Sequence, residues 1–158
     1  MLLKQTLIIV IISIAVALLS NSIRSDGIPL LKKSIQPAES TLELTSESEQ
    51  PVIQSIDLKQ AFEFFNNNIT FIDARDIDEY NEGHIPHSLP NPGFFKLLSN
   101  LDTLISKQEP LITYCGDAEC GISEELADGL AGEGYKKIFV FLGGWDLWLE
   151  AGYPVEQW

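Results

Sequence analysis

Residues 111–130 read LITYCGDAECGISEELADGL, and this stretch decides the architecture. Residues 111–114, LITY, form a short run suited to a buried strand. The run leads directly into Cys115. Residues 115–121, CGDAECG, carry two glycines and no large apolar side chain, and they read as a loop. A helix is expected from near Ser123, with Ile122, Leu126 and Leu130 along one side and Gly134 as its stop.

Two further runs of the same kind lie on either side, ITFIDA at 69–74 and IFVFL at 138–142. Ahead of the first, Leu58, Ala61, Phe62 and Phe65 share a helical face that Ser55 can cap and Asn66-Asn67-Asn68 ends. After it come a polar stretch at 75–81 and the turn-rich Gly83-His84-Ile85-Pro86. Phe94, Leu97, Leu98, Leu101 and Ile105 then repeat at helical spacing. After the last run, Gly143-Gly144 leads into a short helix, WDLWLEA, that Gly152 and Pro154 end. Short, wholly apolar strands alternating with helices predict an α/β fold, with a central, mostly parallel sheet covered on both faces. Ligand sites in such sheets gather at the carboxyl ends of strands. Asp73 and Arg75, Cys115 with its loop, and Gly143-Gly144-Trp145 all fall there.

Charge narrows the partners. The 158 residues include 23 acids against 10 bases, for a net charge of −13. Lys4 and Arg24 are the bases of the first 24 residues, which hold no acid, so the remainder carries −15. Such a surface repels phosphate backbones and excludes nucleic acid as a partner. It is not drawn to anionic lipid either. Membrane contact has to come from apolar sequence, and residues 5–23, QTLIIVIISIAVALLSNSI, supply it.

Those nineteen residues carry no charge, 7–19 is apolar except for Ser13, and Lys4 precedes them. They are about enough to cross a ~30 Å hydrocarbon core. A signal anchor or transmembrane helix at 5–23, with 1–4 as a short cytoplasmic N-terminus, is favoured over a cleaved signal peptide. Cleavage would use Ser20-Asn21-Ser22. The domain is expected outside the cytoplasm: anchored in the periplasm or at the cell surface, or secreted if the segment is removed. Residues 24–50, rich in Ser, Thr, Glu and Gln, read as a flexible tether, and 51–158 as the globular domain.

A cysteine at the end of a strand, before a tight loop and a helix, is well placed to be a nucleophile. Backbone amides of Gly116, Asp117, Ala118, Glu119 and Gly121 can form an anion cradle, and the helix end near Ser123 adds partial positive charge. Both favour the thiolate of Cys115. Gly116 and Gly121 allow a sharp turn. Asp117 and Glu119 act in the opposite sense, since nearby carboxylates disfavour a second anion. Which effect prevails depends on where those two side chains point.

Residues 71–88, FIDARDIDEYNEGHIPHS, resemble the rhodanese pattern of a strand ending in Asp-x-Arg, then Glu-Tyr and Gly-His-Ile-Pro. The cysteine after Tyr114 and residues 143–156, GGWDLWLEAGYPVE, resemble its second half. The resemblance runs over about 53–157. It implies a three-layer rhodanese-like sandwich in which Cys115 carries sulfane sulfur from a donor to an acceptor thiol or cyanide, with no cofactor. Asp73, Arg75 and His84 are then supporting residues, the first two as an ion pair and His84 bonding the backbone of its turn. Exposed His87 stands where the family usually has glycine, and Trp145 and Trp148 are core.

Two departures matter. The family's sulfur-transfer loop is six residues long and ends in a base, followed by Ser. Here the sixth position is Cys120; aligned from Ser123, the loop is two residues longer, and it holds no base in either alignment. A site of that kind is ill suited to thiosulfate, a dianion, so thiosulfate:cyanide activity is not expected. Phosphatase and arsenate-reductase relatives end a longer loop in Arg, which is missing too. Cys120 is either a resolving thiol that attacks a persulfide on Cys115, or a structural staple. Two other functions stay open: a non-catalytic binding or delivery module, and thiol–disulfide exchange. His84, His87, Cys115 and Cys120 add up to a zinc-like ligand set, but the turn accounts for His84, so no metal is assigned.

Overall fold

The computed structural model describes residues 2–23, 35–38 and 50–157. The chain divides into two units, Met1–Ser34 and Ile35–Trp158. In the first, Leu2–Ile23 forms helix α1. Its 20-residue span Lys4–Ile23 has a mean hydropathy of 2.4 and no buried face. At 1.5 Å per residue such a span is about 30 Å long, enough to cross a membrane. The hydroxyl of Ser13 donates to the Ile9 carbonyl at 2.9 Å, so the one polar side chain in 7–19 is satisfied within its own helix.

The second unit is built on a six-stranded sheet. Its strands are β1 (Gln36–Pro37), β2 (Val52–Ile56), β3 (Thr70–Asp73), β4 (Leu89–Pro90), β5 (Pro110–Tyr114) and β6 (Lys137–Phe141). They lie in the order β1-β2-β6-β5-β3-β4. Every pairing is parallel, more uniform than the mostly parallel sheet expected. The helices are α2 (Leu58–Asn66), α3 (Ile77–Glu82), α4 (Phe94–Leu104), α5 (Ile122–Gly132) and α6 (Gly144–Glu150).

Strand side chains alternate between two cores. Phe71, Ile112, Tyr114, Phe139 and Phe141 face one side with Phe64 of α2 and Trp148 of α6. Ile72, Leu111, Ile138 and Val140 face the other, with Leu97 and Leu101 of α4 and Leu126 and Leu130 of α5. One side is mainly aromatic and the other mainly aliphatic. Because both faces are covered, the strands carry continuous apolar runs, and this makes the three layers.

Three local expectations are corrected. Ser55 is not a helix cap: it is buried within β2, and Asp57 caps α2 instead. The Asp57 carboxylate accepts from Gln60 N at 2.8 Å, and the Gln60 side chain accepts from Asp57 N at 3.0 Å, a reciprocal capping box. Helix α3 begins within the polar stretch 75–81 and runs to Glu82, its first turn held by Asp76 accepting from Asp78 N and Glu79 N. Finally, the sheet reaches into the stretch expected to be tether. Gln36 and Pro37 pair with Gln54 and Ser55, and Ala38 N donates to Ser55 O at 2.9 Å. Main-chain pairing needs no apolar pattern, so a polar sequence can supply an edge strand. The rest of 24–50, apart from Ile35 and Gln50, lies outside the described residues.

Candidate active site

The ends of β3, β5 and β6 meet. Cys115, at the end of β5, is 3% exposed. Its carbonyl accepts from Trp145 N at 2.8 Å, and the Gly116 carbonyl accepts from Asp146 N at 2.9 Å. The α6 entrance therefore grips the backbone on both sides of the first loop peptide. Only glycine fits between them: Gly144 has φ +58°, and a Cβ there would lie 2.5 Å from the Cys115 oxygen and 2.7 Å from that of Gly116.

At the end of β3, Asp73 and Arg75 are both buried. Arg75 Nε donates to Asp73 Oδ1 at 3.1 Å and Nη2 to Oδ2 at 2.6 Å, a two-pronged ion pair. Arg75 N also donates to Asp73 Oδ1 at 3.0 Å, and Nη2 to the Gly83 carbonyl at 2.7 Å. Burial alone lowers the Arg75 pKa, but the hydrogen bond and attraction to Asp73 outweigh it and leave the guanidinium above its ordinary value. The guanidinium lies 5.0 Å from the Trp145 ring centroid. A Cβ on Gly116 would sit 4.0 Å from Arg75 Cδ. Trp145 is thus half-buried over Arg75, whereas Trp148 is fully in the core.

A second network braces the same region. The Tyr114 hydroxyl accepts from Ile85 N at 3.2 Å and lies 3.1 Å from Ser88 Oγ. Burial and the Asp73 charge hold it well above its ordinary pKa. His84 Nδ1 is 2.8 Å from the Tyr80 carbonyl, and its ring stacks on Tyr80 with centroids 3.8 Å apart. Its backbone forms an antiparallel bridge with Glu156. His87 is exposed with φ +63°, a left-handed position where the family's glycine would be unstrained. Nothing in the sequence pattern pointed to Tyr114 and Ser88 as partners.

Cys115 and Cys120 form a disulfide, with Cα atoms 6.2 Å apart. One amide of the expected anion cradle is already taken: Asp117 Oδ1 accepts from Glu119 N, and also from Cys120 N, each at 2.9 Å. The reason is local. An aspartate side chain readily bonds amides two and three residues on. Ala118 is exposed in this turn, and Gly116 is half-buried. Gly121 has φ −73° and ψ −5°, which any residue adopts, so no sharp turn depends on it. The helix begins at Ile122, and buried Ser123 offers its carbonyl to Thr113 Oγ1 at 2.9 Å, tying α5 to β5. Among the described residues, no group of three or more His, Cys, Asp or Glu is arranged to hold a metal ion.

The rhodanese-like domain family matches residues 43–151. A thiosulfate sulfurtransferase GlpE of Ectopseudomonas mendocina is 31% identical over 100 residues, covering 62% of this chain and 85% of that one. The GlpE of Coxiella burnetii is 30% identical over 91 residues, with 57% and 79% covered. A crystal structure of a Bacillus halodurans protein superposes with a TM-score of 0.55 at 25% identity, over 69% of this chain and 77% of that one. The family match takes in the Asp-x-Arg strand end, the cysteine loop and the Gly-Gly-Trp entrance to α6. By this span and by its wholly parallel, doubly covered sheet, the chain belongs to the rhodanese-like domain family, with sulfurtransferases among its homologues.

Proposed function

We propose that the chain is an extracytoplasmic sulfur carrier or sulfurtransferase, held to a membrane by α1, in which Cys115 accepts sulfane sulfur and Cys120 resolves the resulting persulfide. The observation that carries this reading is the Cys115–Cys120 disulfide at the end of β5. A thiol within bonding reach of the presumed nucleophile gives a loaded sulfur somewhere to go.

The cycle balances as follows. The Cys115 thiolate attacks the outer sulfur of a persulfide R–S–SH, giving Cys115–S–SH and leaving R–S⁻. The Cys120 thiolate then attacks the Cys115 sulfur, forming the disulfide and expelling HS⁻. An external dithiol reduces the disulfide and is itself oxidised. A persulfide or polysulfide donor suits a loop without Lys or Arg better than thiosulfate does. The anchored, outward placement is supported by the uncharged α1 after Lys4 and by a disulfide of the kind that persists in oxidising compartments.

To test it, reduced protein is given one equivalent of polysulfide without other thiol, and mass and released sulfide are followed. Wild type should release sulfide and end as the disulfide. Cys120→Ser should keep the mass of one sulfur atom on Cys115 and release none, and Cys115→Ala should do neither. Equal sulfide release by Cys120→Ser would end the resolving role, and no Cys115-dependent loading would end the sulfur-carrier reading. The disulfide also favours a second function, thiol–disulfide exchange with a protein dithiol. A mixed disulfide trapped on Cys120→Ser without any sulfane sulfur would identify it.

A further inference from the structure

We infer that Asp117 determines which sulfur donors the loop admits, by placing its own carboxylate on the amides where a donor's oxyanion would bind. The inference rests on the reading of Cys115 as the sulfur acceptor, and adds a residue that selects against thiosulfate and in favour of sulfane sulfur carried on a thiol.

Three observations carry it. First, one oxygen, Asp117 Oδ1, takes both the Glu119 and the Cys120 amides at 2.9 Å, so these two loop donors are already satisfied by a negative charge. The turn closes within residues 117–120 and uses no sulfur atom. Second, no cation offsets that charge within the loop. Residues 115–121 contain Asp117 and Glu119 without Lys or Arg, the first turn of α5 adds Glu124 and Glu125, and that of α6 adds Asp146. Third, Arg75, whose side chain passes beside Gly116, directs Nε and Nη2 to Asp73 and Nη2 also to the Gly83 carbonyl, with its guanidinium over the Trp145 face.

Thiosulfate loading requires the Cys115 thiolate to attack the outer sulfur of S–SO3²⁻. The Cys–S bond forms, the thiosulfate S–S bond breaks, and SO3²⁻ leaves with the electron pair. That leaving group carries its negative oxygens into the loop, where filled amides and carboxylates oppose it. A persulfide bears its charge on sulfur and brings no sulfonate. It escapes most of this penalty.

The test uses the full chain with Cys120→Ser, so that sulfur stays where it loads. Loading of Cys115 by thiosulfate and, separately, by glutathione persulfide is followed by mass, and the ratio of the two rates is read. Asp117→Ala vacates the amides and removes the charge, and the thiosulfate-to-persulfide ratio should rise at least about tenfold, the scale of charge-assisted hydrogen bonding. Asp117→Asn keeps an oxygen for the two amides but no charge, and should raise the ratio less. A ratio that stays within about twofold of the parent in Asp117→Ala would overturn the inference. An Asn effect as large as the Ala effect would also overturn it, since charge alone would then suffice without occupancy of the amides. Failure of the parent to load from either donor is a different result: it would remove the sulfur-acceptor reading itself.

Discussion

The strand ends of β3 and β5 face the same region but are built in opposite ways. At β3, Asp73 and Arg75 are 0% and 6% exposed and are joined by a two-pronged ion pair, a backbone-to-carboxylate bond and a bond to the Gly83 carbonyl. At β5, residues 117–119 are exposed, and the stretch 117–120 is pinned by one covalent bond and the Asp117 turn. The first is over-determined; removing any one contact leaves others. The second can change state without disturbing the core beneath it. In this domain the Asp-x-Arg motif is masonry, and the exposed residues 117–119 of the cysteine loop are the less tied-down part.

Breaking the β3 side should have the largest effect. Arg75→Ala leaves the Asp73 carboxylate buried without its partner, and a loss of about 3–5 kcal/mol is expected in urea unfolding. A loss below about 1 kcal/mol would mean that the pair is not what holds this end. Opening the β5 side should matter less. Chain entropy for so short a ring gives roughly 2 kcal/mol for reduction of Cys115–Cys120, with a single cooperative transition retained. If reduction instead costs as much as Arg75→Ala, the contrast between the two ends fails. The smallest effect is expected at His87, where glycine should relieve the left-handed backbone and change stability by less than about 1 kcal/mol, upward, in thermal unfolding. A clear loss would show the imidazole contributing through contacts of its own.

Much of the fold was legible because three strands are mostly apolar. The runs at 69–74, 111–114 and 138–142 became β3, β5 and β6, and the three strand ends that they predicted do converge. Other elements gave weaker signals for physical reasons. Strand β2, VIQSI, has polar residues at its centre, since Gln54 and Ser55 stand next to a two-residue edge strand. Helix α3 buries only Tyr80, too little to write an apolar period. At the site, the position of Cys115 and the absence of a base were read directly from the letters. The orientation of Asp117 was not, because an acid in a turn can face solvent, repel a thiolate or fold back on its own amides, and composition does not distinguish these. The Tyr114–Ser88 contact joins residues 26 apart, and a tyrosine inside an apolar run gives no hint of where its hydroxyl ends.

The grip of α6 on the peptides at Cys115 and Gly116 has a mechanical corollary. The carbonyls of Cys115 and Gly116 are anchored to amides at 145 and 146, while Cys120 is tied to the Asp117 turn and to the disulfide. Opening the sulfur–sulfur bond removes a tether from both cysteines but leaves Cys115 its two main-chain anchors, so whatever freedom reduction brings is shared unequally and falls to the side of residue 120.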